Sequence, residues 1–282
     1  MAGELLPRRM VPSGKTLPGG TRLKVLQWNV LADGMSGNCE SKGGFTRLPA
    51  ESLEWKARHA MHLQHIEGSG ADIITMQEVD HSEDWIKEMS ALGYDGRFRA
   101  DEYSPCLKWA LGEPKLPDGV ALFWKRDRLE LDECALGVNV DDGGKVLKRK
   151  RIFARLKALD TGAFVVLATT HLKSGKGGGA RRARQSESLI ADFKQFAQSE
   201  EKPASAVFIT GDFNGESSNG LPTQPRGRLR RTVAAQLRAA NAATTSCCRH
   251  GAAACRMPTP MRDTPATSRR SRTAPATTRR AR

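Results

Sequence analysis

Short apolar runs alternate with stretches of helical spacing between residues 23 and 214 of the chain. Six of these runs are almost continuously apolar, as strands buried beneath helices require. They occupy residues 23–30, 71–78, 119–124, 152–159, 164–170 and 206–210. Because strand and helix patterns alternate, the sequence predicts an α/β or layered α+β domain.

Three helical stretches are predicted between the strands. Apolar side chains recur at helical spacing in two of them, at Leu53, Ala57, Ala60, Leu63 and Ile66 and again at Leu189, Phe193 and Phe196. The remaining stretch starts at Ser82, which precedes two acidic residues and is therefore expected to cap the helix. The inner face of that helix should carry Trp85 and Met89.

The positive charge of the chain is concentrated near its C-terminus. The formal net charge is +14, but residues 221–282 contain 14 Arg, no Lys and a single acidic residue, Asp263. The first 220 residues hold 31 basic and 30 acidic side chains, a net charge of +1. The basic balance of the whole chain is therefore no evidence about what its first 220 residues bind.

Residues 221–282 also differ from the rest of the chain in composition. They contain no Phe, Trp, Tyr or Ile and are rich in Ala, Thr, Pro and Arg. Such a segment buries too little apolar surface to offset its ordering entropy, so we predict a disordered tail over residues 220–282. The use of Arg without Lys resembles GC-rich coding sequence read out of frame, a hypothesis that sequencing the transcript near the codon for Gly220 would test.

The remaining composition limits the class and compartment of the protein. The longest apolar run, residues 163–168, is much shorter than the roughly 20 residues of a membrane-spanning helix, so no membrane association is predicted. Six Cys without paired spacing or a signal-peptide pattern indicate a reducing compartment, the cytoplasm. Residues 1–21 lack apolar periodicity and are predicted to form a flexible leader, with a weak mitochondrial presequence as the alternative.

Several predicted strands end in a polar side chain that suits metal or phosphate binding. These residues are Asn29, Glu78, His171, Asp212 and Asn214. In layered sheet proteins, strand ends and the loops beyond them converge on one rim, where ligands usually bind. One polar residue after a strand is ordinarily a loop residue. Only the five residues together indicate a metal or phosphate site.

The residue types are those of metal-assisted phosphate chemistry. Glu78 is a hard oxygen ligand of the kind that Mg²⁺ takes, and His171 can donate to a phosphoryl oxygen. Asp212 and Asn214 are two residues apart, so an extended backbone would direct both side chains to one side. A carboxylate and an amide could then share one water and one phosphate.

These motifs resemble the endonuclease/exonuclease/phosphatase superfamily, and within it the nocturnin-like deadenylases. The resemblance covers residues 22–216, with domain boundaries predicted at 22 and 219. Its motifs are Leu-Gln-Trp-Asn-Val-Leu-Ala at 26–32, Leu53 with Trp55 and Arg58, Gln-Glu-Val-Asp-His at 77–81, Ser-Pro-Cys-Leu at 104–107, Pro-Asp-Gly at 117–119, Thr-His-Leu-Lys at 170–173 and Gly-Asp-Phe-Asn at 211–214. The family fold implied is a four-layer sandwich of two packed mixed β-sheets flanked by helices.

The resemblance also implies roles for individual residues. Glu78 would bind the catalytic Mg²⁺, with Mn²⁺ as a substitute, and Asn29 would assist the metal and phosphate. His171 would contact the scissile phosphate. Asp212 would orient or deprotonate the attacking water, and Asn214 would hold water or phosphate in line.

Two further residues are assigned to substrate by the same resemblance. Asp118 would help shape the nucleotide pocket, and Lys173 would meet a substrate phosphate. The reaction implied is removal of adenylate from the 3′ end of poly(A) RNA by a monomer. Removal of the 2′-phosphate from NADP(H) is the alternative, since the nearly neutral first 220 residues suit a dinucleotide better than a long polyanion.

The chain departs from the family pattern after residue 214. Family members carry an Asp before a later strand and a Ser-Asp-His near the C-terminus, and neither motif occurs here. We therefore expect the last strands of the second sheet to be missing, leaving strand edges unpaired. Gly175 also stands near the position where nocturnin-like proteins carry an Arg. A catalytically impaired homologue with a nonspecific nucleic-acid-binding tail is thus a third hypothesis.

The tail hypothesis predicts strongly salt-dependent RNA binding. Because its cations would displace counterions from phosphates, affinity should fall steeply as salt rises from about 0.05 M to about 0.2 M. Removal of residues 221–282 should abolish this binding, as measured by fluorescence anisotropy with labelled single-stranded RNA. Retention of full affinity by the shortened chain would contradict the hypothesis.

Overall fold

The computed structural model describes residues 22–36, 45, 48–109, 115–140 and 146–215. These residues include eight strands, four α-helices and two short 3₁₀ helices, Asp33–Met35 and Ala50–Ser52. The strands are β1 (Val25–Asn29), β2 (Ile73–Val79), β3 (Tyr94–Ala100), β4 (Gly119–Lys125), β5 (Leu129–Val140), β6 (Val146–Ala158), β7 (Phe164–His171) and β8 (Ala204–Asp212). The helices are α1 (Trp55–Ser69), α2 (Ser82–Ala91), α3 (Cys106–Trp109) and α4 (Gly179–Ala197).

The strands form two mixed sheets of four strands each. The first has the order β1-β2-β4-β3 and the second the order β5-β6-β7-β8. In the first sheet β1 and β2 are parallel, and in the second β7 and β8 are parallel, while the other neighbours are antiparallel. Each sheet therefore carries one parallel pair at one edge.

Three apolar clusters pack four layers of secondary structure together. The cluster between the sheets joins β2 and β4 to β6 and β7, with Ile73, Leu122, Ile152 and Leu167 among its members. A second cluster packs α1 and α2 on the outer face of the first sheet, and a third packs α4 on the outer face of the second. This arrangement confirms the predicted sandwich of two mixed sheets flanked by helices.

All six predicted strands are present, but β3 and β5 were not predicted. Both are edge strands, as β1 and β8 are, but charged side chains interrupt the apolar residues of β3 and β5. In β3, charged side chains at Asp95, Arg97 and Arg99 interrupt the apolar residues, because this edge strand is only partly covered. The apolar runs on which the prediction relied are typical of strands covered on both faces.

The predicted cap of α2 is wrong. The N-cap residue is His81, which has a left-handed backbone (φ 47°) and no side-chain capping hydrogen bond, and Ser82 is already helical. The acidic residues of the first turn can stabilise the helix start through its dipole. Trp85 and Met89 are fully buried, as predicted for the inner face.

Several predictions fall on residues outside the described ranges. The predicted leader over 1–21 and the predicted tail over 220–282 lie outside these ranges. The predicted absence of the last strands of the second sheet also concerns residues outside them. Within the described residues, β1 and β8 are edge strands, and most of their side chains are only partly buried. None of the described helices is both long and apolar enough to cross a membrane.

Leu122 tests the importance of the cluster between the sheets. It is fully buried, so Leu122→Ala should lower the free energy of unfolding by about 2–5 kcal/mol through lost burial and a cavity. Leu136→Ala is the matched control, because Leu136 is exposed on β5 and should change stability by no more than about 0.5 kcal/mol. Urea denaturation measures both, and equal effects would contradict the layer assignment.

Candidate active site

Four of the predicted site residues come together at one edge of the sandwich. Asn29 and Glu78 belong to the ends of β1 and β2, where parallel pairing sets Asn29 opposite Gln77. His171 and Asp212 are paired at the ends of β7 and β8. Because the two parallel pairs end at the same side, residues far apart in the chain meet there.

The Asn29 amide joins two carboxylates from different sheets. Its Nδ2 donates to Glu78 Oε1 at 2.8 Å and to Asp212 Oδ2 at 2.9 Å. Its Oδ1 accepts the backbone N–H of Leu31 at 3.0 Å, which fixes the orientation of the amide. Asn29 thus orders the two carboxylates, and its own contact with a metal stays a prediction.

Glu78, His171 and Asp212 form a group that could hold a metal ion. One ligand atom from each lies within 4.8 Å of the others. His171 Nε2 lies 3.9 Å from Glu78 Oε1 and 3.8 Å from Asp212 Oδ2. Two carboxylates and an imidazole match the donor preferences of divalent cations, so this donor set fits a metal.

The electrostatics of Glu78 favour a cation at this place. Burial raises the pKa of its carboxyl above the usual range, and the negative charges of Asp118 and Asp212 raise it further. The hydrogen bond from Asn29 opposes this increase by stabilising the carboxylate. A cation beside Glu78 would relieve both the burial and the repulsion.

Left-handed backbone conformations of residues other than glycine cluster around this edge. Leu31, Glu78, His81 and Asn214 all have φ between 47° and 57°. At Glu78 the conformation coincides with an irregularity in the pairing of β2 with β4, between Gln77 and Val79. A bulge of this kind redirects a side chain, and backbone strain of this kind is typical of functional sites.

The extended backbone predicted over Asp212 and Asn214 is wrong. β8 ends at Asp212, and Asn214 turns into the left-handed region at φ 48°. Its backbone N–H donates to Asp212 Oδ1 at 2.9 Å and its Nδ2 donates to the carbonyl of Leu172 at 3.0 Å. Asn214 therefore connects Asp212 to the segment after His171 through these two hydrogen bonds.

A glycine lets β8 approach β7 immediately before Asp212. Gly211 has φ +142°, and a Cβ there would collide with the carbonyl oxygen of Thr170. Because Thr170 pairs with Gly211 and His171 pairs with Asp212, this close approach brings the His171 and Asp212 strand ends together.

The two predicted substrate residues lie beside the site. Asp118 is buried next to β4, where the Ser104 hydroxyl donates to its carboxylate and Ser104 Oγ accepts its backbone N–H at 3.0 Å. Lys173 lies two residues after His171, and its backbone N–H donates to Gln185 Oε1 at 2.9 Å. The roles of both toward substrate stay predictions.

A charged network that the sequence did not predict holds the loop after β1. The Arg58 guanidinium donates to the Leu31 carbonyl at 2.7 Å and lies 3.4 Å from Asp33 Oδ1. His81 Nε2 lies 3.4 Å from Asp33 Oδ2, and this contact raises the pKa of His81 and lowers that of Asp33. Arg58 and His81 belong to the motifs that carry the family resemblance. Asp33 lies in none of these motifs, so the sequence offered no signal for it.

The chain matches known proteins in both sequence and fold. The model of the family described as Endonuclease/Exonuclease/phosphatase matches residues 26–281. The chain is 33% identical to human nocturnin over 197 residues, 69% of this chain and 43% of that protein. It is 34% identical to Drosophila melanogaster nocturnin over 202 residues, 70% of this chain and 29% of that protein.

A solved structure shows the same similarity. The human nocturnin catalytic domain with bound sulfate matches with a TM-score of 0.57 and 30% identity, covering 70% of this chain and 66% of that one. The chain thus spans less than half of each of the two full-length nocturnins.

The raised pKa of Glu78 predicts a pH-dependent gain in stability for Glu78→Gln. A carboxyl whose pKa is raised by folding stabilises the fold below its unfolded pKa, and that contribution is lost as pH rises through the folded pKa. With a chelator present, Glu78→Gln should therefore have a higher Tm than the wild type at pH 7 and an equal Tm near pH 4. Thermal unfolding at both pH values measures this. A lower Tm for the variant at pH 7 would show that the Glu78 charge is stabilised in the fold.

Proposed function

Because the chain belongs to the endonuclease/exonuclease/phosphatase family, we propose that it is a nocturnin-like, Mg²⁺-dependent phosphoesterase of the 3′-to-5′ poly(A)-removing type. The observation that carries the proposal is the cluster of Glu78, His171 and Asp212, with Asn29 bridging the two carboxylates. Similarity to nocturnin over about two thirds of the chain supports it.

Glu78 is the residue that would hold the metal. Its carboxylate is the more buried of the two, with 16% of the side chain exposed against 28% for Asp212. A bound Mg²⁺, with Mn²⁺ as a substitute, would polarise the phosphoryl group and neutralise developing charge. Asn29 keeps Glu78 and Asp212 at a fixed separation through its two N–H donations.

Asp212 is the candidate acceptor of a proton from the attacking water. The Asn214 N–H at one carboxylate oxygen and the Asn29 amide at the other fix its orientation. His171, whose Nε2 lies 3.8 Å from Asp212 Oδ2, would donate a hydrogen bond to a phosphoryl oxygen as negative charge develops there. Hydrolysis would then proceed by positioning and charge stabilisation, without a covalent intermediate.

Removal of the 2′-phosphate from NADP(H) is the second candidate function. The net charge of +1 over the first 220 residues favours it, because proteins that track RNA usually present a basic groove. In this reaction Lys173 would meet a substrate phosphate and Asp118 would help to shape the nucleotide pocket. The same cluster would serve both reactions, so the substrate must be decided by assay.

A third possibility follows from the motifs missing after residue 214. If the absent Asp and Ser-Asp-His elements are indispensable, the chain binds metal and nucleotide without turnover. RNA affinity would then reside in the Arg-rich residues 221–282.

We expect the purified chain to hydrolyse one of two substrates with Mg²⁺, and Glu78→Ala to abolish the activity. Poly(A) RNA labelled at its 5′ end and NADPH are assayed in parallel, by product length on a gel and by release of orthophosphate. Glu83→Ala is the matched control, because Glu83 is an exposed glutamate in the first turn of α2 and should leave turnover unchanged.

The assay separates the three hypotheses. Shortening of poly(A) supports the deadenylase, and phosphate release from NADPH alone supports the phosphatase. No turnover of either substrate supports the impaired homologue, and undiminished turnover by Glu78→Ala would mean that the metal site lies elsewhere.

A further inference from the structure

The loop after β3 begins at the edge of the sandwich that carries the candidate active site. β3 ends at Ala100, which pairs with Gly119 at the start of β4. The next residue, Asp101, donates its backbone N–H to the carbonyl of Asp118 at 2.8 Å. Gly119 also pairs with Val79, the residue that follows Glu78 in β2. Residues 101–104 therefore lie at the same edge as the metal-ligand cluster.

Contacts on both sides hold residues 101–104 in place. The Tyr103 N–H donates to Asp101 Oδ1 at 3.0 Å, and the Ser104 hydroxyl donates to the carboxylate of Asp118. Glu102 forms an ion pair with the buried Lys150 of β6. The loop is thus tied to β3, β4 and the second sheet.

Tyr103 presents its ring to solvent from this well-anchored loop. The residue is 55% exposed, the most exposed of the large hydrophobic side chains in the described ranges. The Lys150 ammonium lies 5.8 Å from the ring centroid, in cation–π geometry. The Lys150 carbonyl accepts the Thr170 hydroxyl at 3.1 Å, next to His171. Lys150 thus connects Tyr103 to the β6–β7 pair, in which β7 ends at His171.

An exposed aromatic ring held in this way suits stacking on a nucleobase. Aromatic side chains bind bases by stacking, and a ring that is already ordered loses little entropy on binding. A core role does not account for Tyr103, because more than half of the residue is in contact with solvent.

We propose that Tyr103 is a substrate-binding residue that stacks on a purine base while the phosphate of the same nucleotide occupies the Glu78–His171–Asp212 cluster. This inference rests on the proposed function and names the residue that would hold the base of the substrate. It holds for poly(A) and for NADP(H), since both contain adenine.

The test is a binding cycle in which the ring and the base are removed separately. The full-length chain and its variants are titrated calorimetrically with adenosine 5′-monophosphate and with ribose 5-phosphate, with Ca²⁺ as the metal. Tyr103→Ala and Tyr103→Leu, which lack a flat π-face, should bind adenosine 5′-monophosphate roughly 5- to 100-fold more weakly. Their affinity for ribose 5-phosphate should remain that of the wild type.

Two controls separate stacking from effects on the fold. Tyr103→Phe retains the ring and should bind both ligands like the wild type. Leu136→Ala removes an exposed apolar side chain from β5 and should change neither affinity. The Tm of each variant is measured alongside.

Several results would overturn the proposal. It fails if the native protein does not prefer adenosine 5′-monophosphate over ribose 5-phosphate. It fails also if Tyr103→Ala weakens both ligands equally or neither, or if Tyr103→Phe behaves like Tyr103→Ala. Because binding needs no turnover, a base preference that depends on Tyr103 supports the inference even where neither poly(A) nor NADPH is hydrolysed, a result that would count against the proposed function alone.

Discussion

The meeting of two carboxylates from different sheets is the constraint on which the candidate site depends. Glu78 belongs to the first sheet and Asp212 to the second, and packing of the sheets on a shared apolar cluster brings them together. Two negative charges at this separation in a partly buried site would oppose that packing. The Asn29 amide lessens the cost by donating one N–H to each carboxylate, and a divalent cation would neutralise what remains.

A buried polar connection beneath the site strengthens the same junction. Gln77 Nε2 donates to Thr169 Oγ1 at 3.2 Å across the sheets, and Gln27 Nε2 donates to Gln77 Oε1 at 2.6 Å. Gln77 and Thr169 are fully buried in their sheets. Satisfied hydrogen bonds in such a place favour one relative position of the sheets, because any shift would leave polar groups unpaired. The relative position of Glu78 and Asp212 thus depends on these buried hydrogen bonds as well as on apolar packing.

Charge and backbone geometry hold the loops at this edge together with buried apolar residues such as Val30, Ala32 and Leu172. Arg58 and His81 meet at Asp33 on one side of the site, and Lys150 ties Glu102 on another. Left-handed backbone at Leu31, Glu78, His81 and Asn214 accompanies these contacts. Strained residues persist only where their surroundings fix them, and such a combination of strain and anchoring contacts is typical of functional sites.

The sequence by itself determined the layered α/β class, six of the eight strands and the residues that meet at the site, because buried strands read as apolar runs and site residues follow them directly. The same reasoning missed β3 and β5, since charged side chains interrupt the apolar residues of both strands. It also misjudged the cap of α2 and the backbone at Asn214, which depend on local left-handed conformations. Only the tertiary structure decided that Asn29 bridges the two carboxylates, that Asp33 joins Arg58 to His81 and that Tyr103 lies at the rim. Each of these depends on contacts between segments far apart in the chain, and such contacts exist only once the two sheets have packed.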